Sequence, residues 1–187
     1  LETGYKSASI LMSKARLGPL THKGETVRNE LSGATLTSRI KIWLMQESGL
    51  EFGNHYHFLD SMIVLDMMKK QSYGFNTFAA LRVGEIQQKT DLDDWRHIQS
   101  KENIADILTR GAAPSKLATG SLWQCGPAWL SGPPSSWPVT PSNIKQNSNE
   151  SNIYEISKFY KKGTKTNSAS AVKTFNAVYA SGLKSEK

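Results

Sequence analysis

The sequence predicts an α/β domain in which helices are layered on a partly parallel sheet. Two observations carry this reading. Short apolar runs that read as strands alternate with longer stretches whose apolar residues recur every three or four positions. Their order along the chain is strand, helix, strand, helix, helix, strand, helix, the pattern of layered α/β architecture.

The first predicted element is a strand over Ser9–Arg16, built on Ile10-Leu11-Met12 and closed by Gly18-Pro19. A long helix is expected from about Thr26 to Glu47, because Val27, Leu31, Ala34, Ile42 and Met45 fall on one face. Leu36, Ile40 and Trp43 form a second stripe. A helix apolar on two faces is expected to lie between a sheet and another helix. Ser48-Gly49 ends it. A strand follows over His55–Leu59, then Asp60-Ser61 leads into a compact helix from about Met62 to Lys70, whose closing lysines suit the negative end of the dipole. Asn76 opens a helix over Thr77–Lys89 with Ala79, Val83 and Ile86 on its apolar face. Thr90–Asp94 reads as a turn, Trp95–Gln99 as a strand, and Asn103 opens a last helix ending at Arg110-Gly111. From Gly111 the chain becomes a Pro/Gly/Trp-rich connector holding Trp123, Trp129 and Trp137, read as packing anchors rather than base-stacking platforms.

Composition divides the chain further. Of 187 residues only 38% are hydrophobic, which leaves part of the chain without a core to pack. The net charge of +7 is uneven: residues 1–140 carry 15 Lys/Arg against 13 Asp/Glu, while residues 141–187 carry 8 Lys against 3 Glu. Residues 141–187 are thus expected to form a basic, disordered tail rich in Ser, Asn and Lys, with one helical stretch around Ala171–Leu183. The organisation expected is a domain over 1–111, the connector over 112–140 and this tail. No apolar stretch approaches the ~20 residues of a membrane span. With no secretory signal and Cys125 as the sole cysteine, an intracellular location, cytoplasmic or nuclear, is expected. The chain opens on Leu1 rather than Met and is read as a piece of something longer.

Three carboxylates stand out by position. Glu30 lies in the first turns of the long helix, Asp60 at the carboxyl end of a strand, and Asp106 in the first turn of the last helix. Open α/β sheets place ligand sites at carboxyl ends of strands. Acids gathered from separate elements repel one another, and a hard cation such as magnesium or manganese relieves that repulsion. Each acid also has a plain structural reading. Asp60 or Ser61 caps the following helix, Asp106 complements a helix dipole, and Glu30 is a solvated helix-face charge. His55 and His57 point the same way along their strand, as an ordinary strand face or a metal pair, and His22 has no visible partner. No Gly-rich phosphate loop or nucleophile elbow is present.

Around those acids the sequence resembles the ribonuclease H-like domain of Bel/Pao LTR retrotransposon polyproteins. Leu11–Leu20 resembles that domain's strand and turn, Asn29-Glu30-Leu31 its Glu-Leu helix motif, and Leu59-Asp60-Ser61 its Thr-Asp-Ser strand end. The similarity continues through Arg82–Ile86 and Trp95–Ile98 and is strongest over Ser100–Gly111. Leu122-Trp123, Gly126-Pro127, Trp129-Leu130 and Trp137-Pro138 resemble its exit, so the likeness covers roughly residues 5–140. It implies a ribonuclease H-like mixed sheet flanked by helices and magnesium-dependent (or manganese-dependent) hydrolysis of the RNA strand of an RNA–DNA hybrid. Glu30, Asp60 and Asp106 match three of the family's acidic metal ligands.

The family's first metal-binding aspartate stands on an opening strand, Asp-Ala-Ser, for which this chain has no match; Glu2 does not fit it. The expectation is therefore an N-terminally truncated domain, inactive alone, whose partners are an RNA–DNA hybrid or other nucleic acid and the rest of the polyprotein, with no membrane. The alternative is a non-catalytic remnant that binds nucleic acid or protein. Leu59 stands where the family has Thr, Ile104 where it has Pro, and His97 takes no catalytic role.

Overall fold

The computed structural model describes residues 7–15, 26–109, 111–141 and 150–161. Helix α1 spans Thr26–Glu47, unbroken by proline, and Gly49 ends it in the left-handed conformation at φ 66°. Strand β1 (His57–Leu59) leads into helix α2 (Met62–Met68) and helix α3 (Thr77–Lys89), after which strand β2 (Trp95–Ile98) returns beside β1. The two strands pair in parallel, His57 opposite Trp95 and Leu59 opposite His97, so α2 and α3 form the crossover that parallel neighbours require. One-turn helices α4 (Asp106–Thr109) and α5 (Leu122–Cys125) follow. Strand β3 (Val139–Pro141) adds antiparallel to β2, and helix α6 (Glu150–Ser157) closes the described chain. The architecture is mixed helix and small sheet, broadly α/β.

Caps fix the ends of the central elements. The Ser61 hydroxyl accepts the Val64 N–H and the Asn76 side chain accepts the Ala79 N–H, each closing a helix N-terminus. The Gln87 amide donates to the carbonyls of both Met68 and Lys70 at 2.8 Å, tying α3 to the end of α2. Thr90 accepts the buried Trp95 indole N–H at 2.9 Å while its own hydroxyl donates to Ile86. Trp95 therefore enters the core without an unmet donor.

The core joins Leu31 and Ala34 of α1 to Ala79, Val83 and Ile86 of α3, with Val64, Leu65, Met67 and Met68 of α2, Phe75 and Trp95. The two long helices run in the same direction: Arg28 lies over Phe78 and Arg39 bonds Glu85. Thr35 and Ser38 are buried with Leu31 and Ala34, and their hydroxyls donate to carbonyls within α1, so small polar residues sit inside without loss.

The second stripe of α1 departs from expectation. Its Trp43 stands about half exposed, as does Met45 at the end of the first face. By length alone α1 reaches ~33 Å and α3 only ~20 Å, so the last turns of α1 overhang the helix they would pack on.

Three further differences lie outside α1. The strand expected over Ser9–Arg16 does not form within residues 7–15; the Ile10 N–H instead donates to Gln124 of α5 at 2.8 Å, and Leu11 faces solvent. The helix expected to open at Asn103 begins only at Asp106, because Asn103 accepts the Ala105 N–H in a local turn. Within the tail, residues 150–161 pack against the domain: Ile156 and Phe159 are buried, and Tyr160 stacks on Phe75 at 5.1 Å. The Asn76 N–H donates to the Phe159 carbonyl at 2.6 Å, which fixes that segment to the start of α3. The helix expected around Ala171–Leu183 lies outside the described residues.

The connector packs on the outer sheet face. Trp137 meets Tyr56 edge-on at 4.9 Å, and Trp129 and Trp137 both meet Phe58. The expected anchoring role of these tryptophans is thus seen at Trp129 and Trp137. Gly126 shapes the connector at φ 71°, ψ 171°, a region essentially confined to glycine. A Cβ there would also lie 2.8 Å from Leu130 Cδ1. Gly126→Ala is expected to cost about 1–3 kcal/mol in denaturant unfolding, and an unchanged midpoint would contradict this account.

Candidate functional site

The site is built at the carboxyl end of β1. Helix α1 brings Glu30, one position before the buried Leu31, to the β1–α2 junction. There Ser61 donates its hydroxyl proton to Glu30 Oε2 at 2.5 Å. Asp60 precedes Ser61 and is half-buried, as is Glu30. Burial pushes the Glu30 carboxyl above the usual carboxylate range; the Ser61 hydrogen bond opposes that shift and the negative charge of Asp60 adds to it. The Asp60 charge thus acts at Glu30 across the β1–α2 junction.

Asp106 comes from a third element. It is the first residue of α4, beyond the turn that Asn103 sets. Among the described residues no three His, Cys, Asp or Glu side chains gather as an ion-holding group. The trio of Glu30, Asp60 and Asp106 thus does not form a three-carboxylate cage here. The donor chemistry fits a hard cation at Glu30 and Asp60: two oxygen ligands whose repulsion a cation would relieve.

The histidines face elsewhere. His57 is buried against Trp95, ring centroids 4.7 Å apart, and burial first, then the charges of Lys41 and His55, pull its pKa down to about 4. Nε2 of His55 and of His57 finds no hydrogen-bond partner among the described residues. With the Lys41 ammonium close by, this inner strand face disfavours a second cation. On the outer face Arg96 lies over Tyr56 at 5.4 Å.

The role of Ser61 is the part of the site that sequence reasoning missed. A serine after a strand-end aspartate reads as a helix cap, which it is, but its bond to Glu30 spans 31 residues and exists only in the fold.

No family model matches the chain, and comparison with curated proteins and with solved structures returned no match. No helix among the described residues is long and apolar enough to cross a membrane.

Proposed function

We propose that the chain is a ribonuclease H-like segment of a Bel/Pao-type retroelement polyprotein, with Glu30 and Asp60 two of its magnesium-binding acids, and that alone it does not cleave. The observation that carries this reading is that Glu30 from α1 is hydrogen-bonded to Ser61, the residue after Asp60 at the carboxyl end of a parallel strand, and feels the charge of Asp60. The ordered sequence likeness from Leu11 to Pro138 supports it, including the match of Asp106 to a third acid.

When bound, magnesium supplies the charge that activates water and steadies the leaving oxygen in phosphodiester hydrolysis. The contribution of Glu30 and Asp60 is to present oxygen ligands from two different elements. Two carboxylates without the family's first aspartate hold magnesium weakly, because the ion keeps its waters unless enough anionic ligands replace them. The nucleic acid would be an RNA–DNA hybrid, gripped through its backbone and 2′-hydroxyls rather than its base edges.

The experiment is hybrid cleavage in magnesium and in manganese, by this chain and by a version extended with an opening strand that carries Asp-Ala-Ser. The unextended chain is expected to be inactive, the extended one to gain activity, and Asp60→Asn to abolish that gain. Robust cleavage by the unextended chain, lost on Asp60→Asn, would overturn the claim of inactivity.

A second reading rests on Glu30, Asp60 and Asp106 not gathering as one ion-holding group among the described residues: a non-catalytic remnant that binds nucleic acid or protein. Under it the extended chain stays inactive, and any hybrid binding weakens steeply with salt without needing a divalent ion.

A further inference from the structure

The hydroxyl of Ser61 does two things with one oxygen. It accepts the Val64 N–H, closing the N-terminus of α2, and it donates to Glu30 Oε2 at 2.5 Å. A serine hydroxyl has one proton and two lone pairs, so the two bonds use different sites on the oxygen and do not compete. The helix bond directs a lone pair toward α2, which leaves the proton aimed at α1. Ser61 itself is buried at 6% exposure, whereas Glu30 is only half-buried and has a route to solvent.

A glutamate in that position has reason to leave. Its side chain carries three rotatable bonds, the neighbouring Asp60 repels it, and water is within reach. An anchor on the far side of the junction opposes all three tendencies. We propose that Ser61 is a positioning residue that holds the Glu30 carboxylate beside Asp60, so that the two acids are presented together before a cation arrives. This rests on the reading of Glu30 and Asp60 as cation ligands. It adds that their geometry is preorganised by a hydroxyl that need not touch the ion.

The test separates the two jobs of the hydroxyl. Ser61→Gly removes both bonds, but glycine is a tolerable N-cap, so the melting temperature is expected to stay within ~2 °C. Ser61→Asp keeps the acceptor for Val64 and loses the donor to Glu30, which serves if the glycine variant does not fold. Ser61→Thr keeps both. Three-bond couplings of the Glu30 side chain, measured by NMR without metal, are expected to report one rotamer in wild type and Ser61→Thr. In Ser61→Gly and Ser61→Asp they are expected to be averaged. Manganese titration, followed by paramagnetic broadening of the Asp60 and Ser61 amides, is expected to show roughly tenfold weaker binding in Ser61→Gly and recovery in Ser61→Thr.

Unchanged Glu30 couplings in a folded Ser61→Gly or Ser61→Asp would overturn the positioning role. A wild-type chain that shows the single rotamer but no manganese broadening would overturn the cation reading instead, and leave Ser61 as the anchor of Glu30.

Discussion

Replacing Phe159 by Ala is expected to destabilise the protein by about 3–5 kcal/mol, read as a fall in the denaturant midpoint. Phe159 is 6% exposed and belongs to the same buried cluster as Phe75, Val64 and Met68. Truncating it leaves a cavity between α2 and the loop that opens α3, and the Tyr160–Phe75 stack alongside loses its support. Ile156→Ala, at 2% exposure, is expected to cost about 2–5 kcal/mol for the same reason. Tyr154→Ala is the control: Tyr154 is 66% exposed on the same helix, and its loss is expected to stay within about 0.5 kcal/mol. Ending the chain at Pro141 should exceed any of these changes, because it also strips the Asn76 N–H of its carbonyl partner and exposes Phe75. If Phe159→Ala unfolded at the wild-type midpoint, residues 150–161 would be an appendage rather than part of the core.

That result bears on what a sequence shows. Ile153, Ile156 and Phe159 recur at three-residue steps, a helical signal that is present in plain view. It is outweighed by the Ser, Asn and Lys around it, since composition averages over a window while burial depends on a few side chains. The opposite error occurs at Ile10-Leu11-Met12. Three apolar residues in a row read as a strand, yet a strand needs an edge to pair with, and pairing is a tertiary fact that local pattern does not contain. Helix α3 is legible throughout, because its Asn76 cap and its buried Ala79, Val83 and Ile86 are all local signals. On α1 the periodicity is right, while the fate of Trp43 depends on where its neighbour ends. Asp60 is legible as a strand-end acid. Its nearness to Glu30, and the serine that joins them, arise from the crossing of α1 over the β1–α2 junction.

Lowering the pH from about 6.5 to about 4 is expected to weaken the fold through His57, by on the order of 3 kcal/mol as an upper bound. The sign follows from the direction of the shift. Its folded pKa lies below the ordinary value of 6.5, so the folded state binds this proton less readily than the unfolded chain. The neutral ring's contribution is complete above pH 6.5, declines as the unfolded chain takes up protons, and levels off below about 4. The physical cause is the surroundings. The ring is buried against Trp95, Nε2 lacks a partner among the described residues, and Lys41 from α1 and the adjoining His55 would both repel a second positive charge. Asp94 offsets Lys41 only in part, across 3.8 Å. Two carboxylates act in other windows. Glu30, whose pKa is raised, gains stability as pH falls toward 4.5, opposite in sign to His57. Glu85, held down to about 2 by its hydrogen bond with Arg39, loses stability only as pH falls from 4.5 through that value. The difference between wild type and His57→Phe isolates the imidazole: the variant keeps an aromatic ring beside Trp95 and cannot be protonated. Denaturant unfolding at pH 7, 6, 5 and 4 is expected to show the wild type losing stability relative to His57→Phe at each step. Parallel curves for the two proteins would mean that His57 titrates as it does in water, and that the face between α1 and β1 admits solvent.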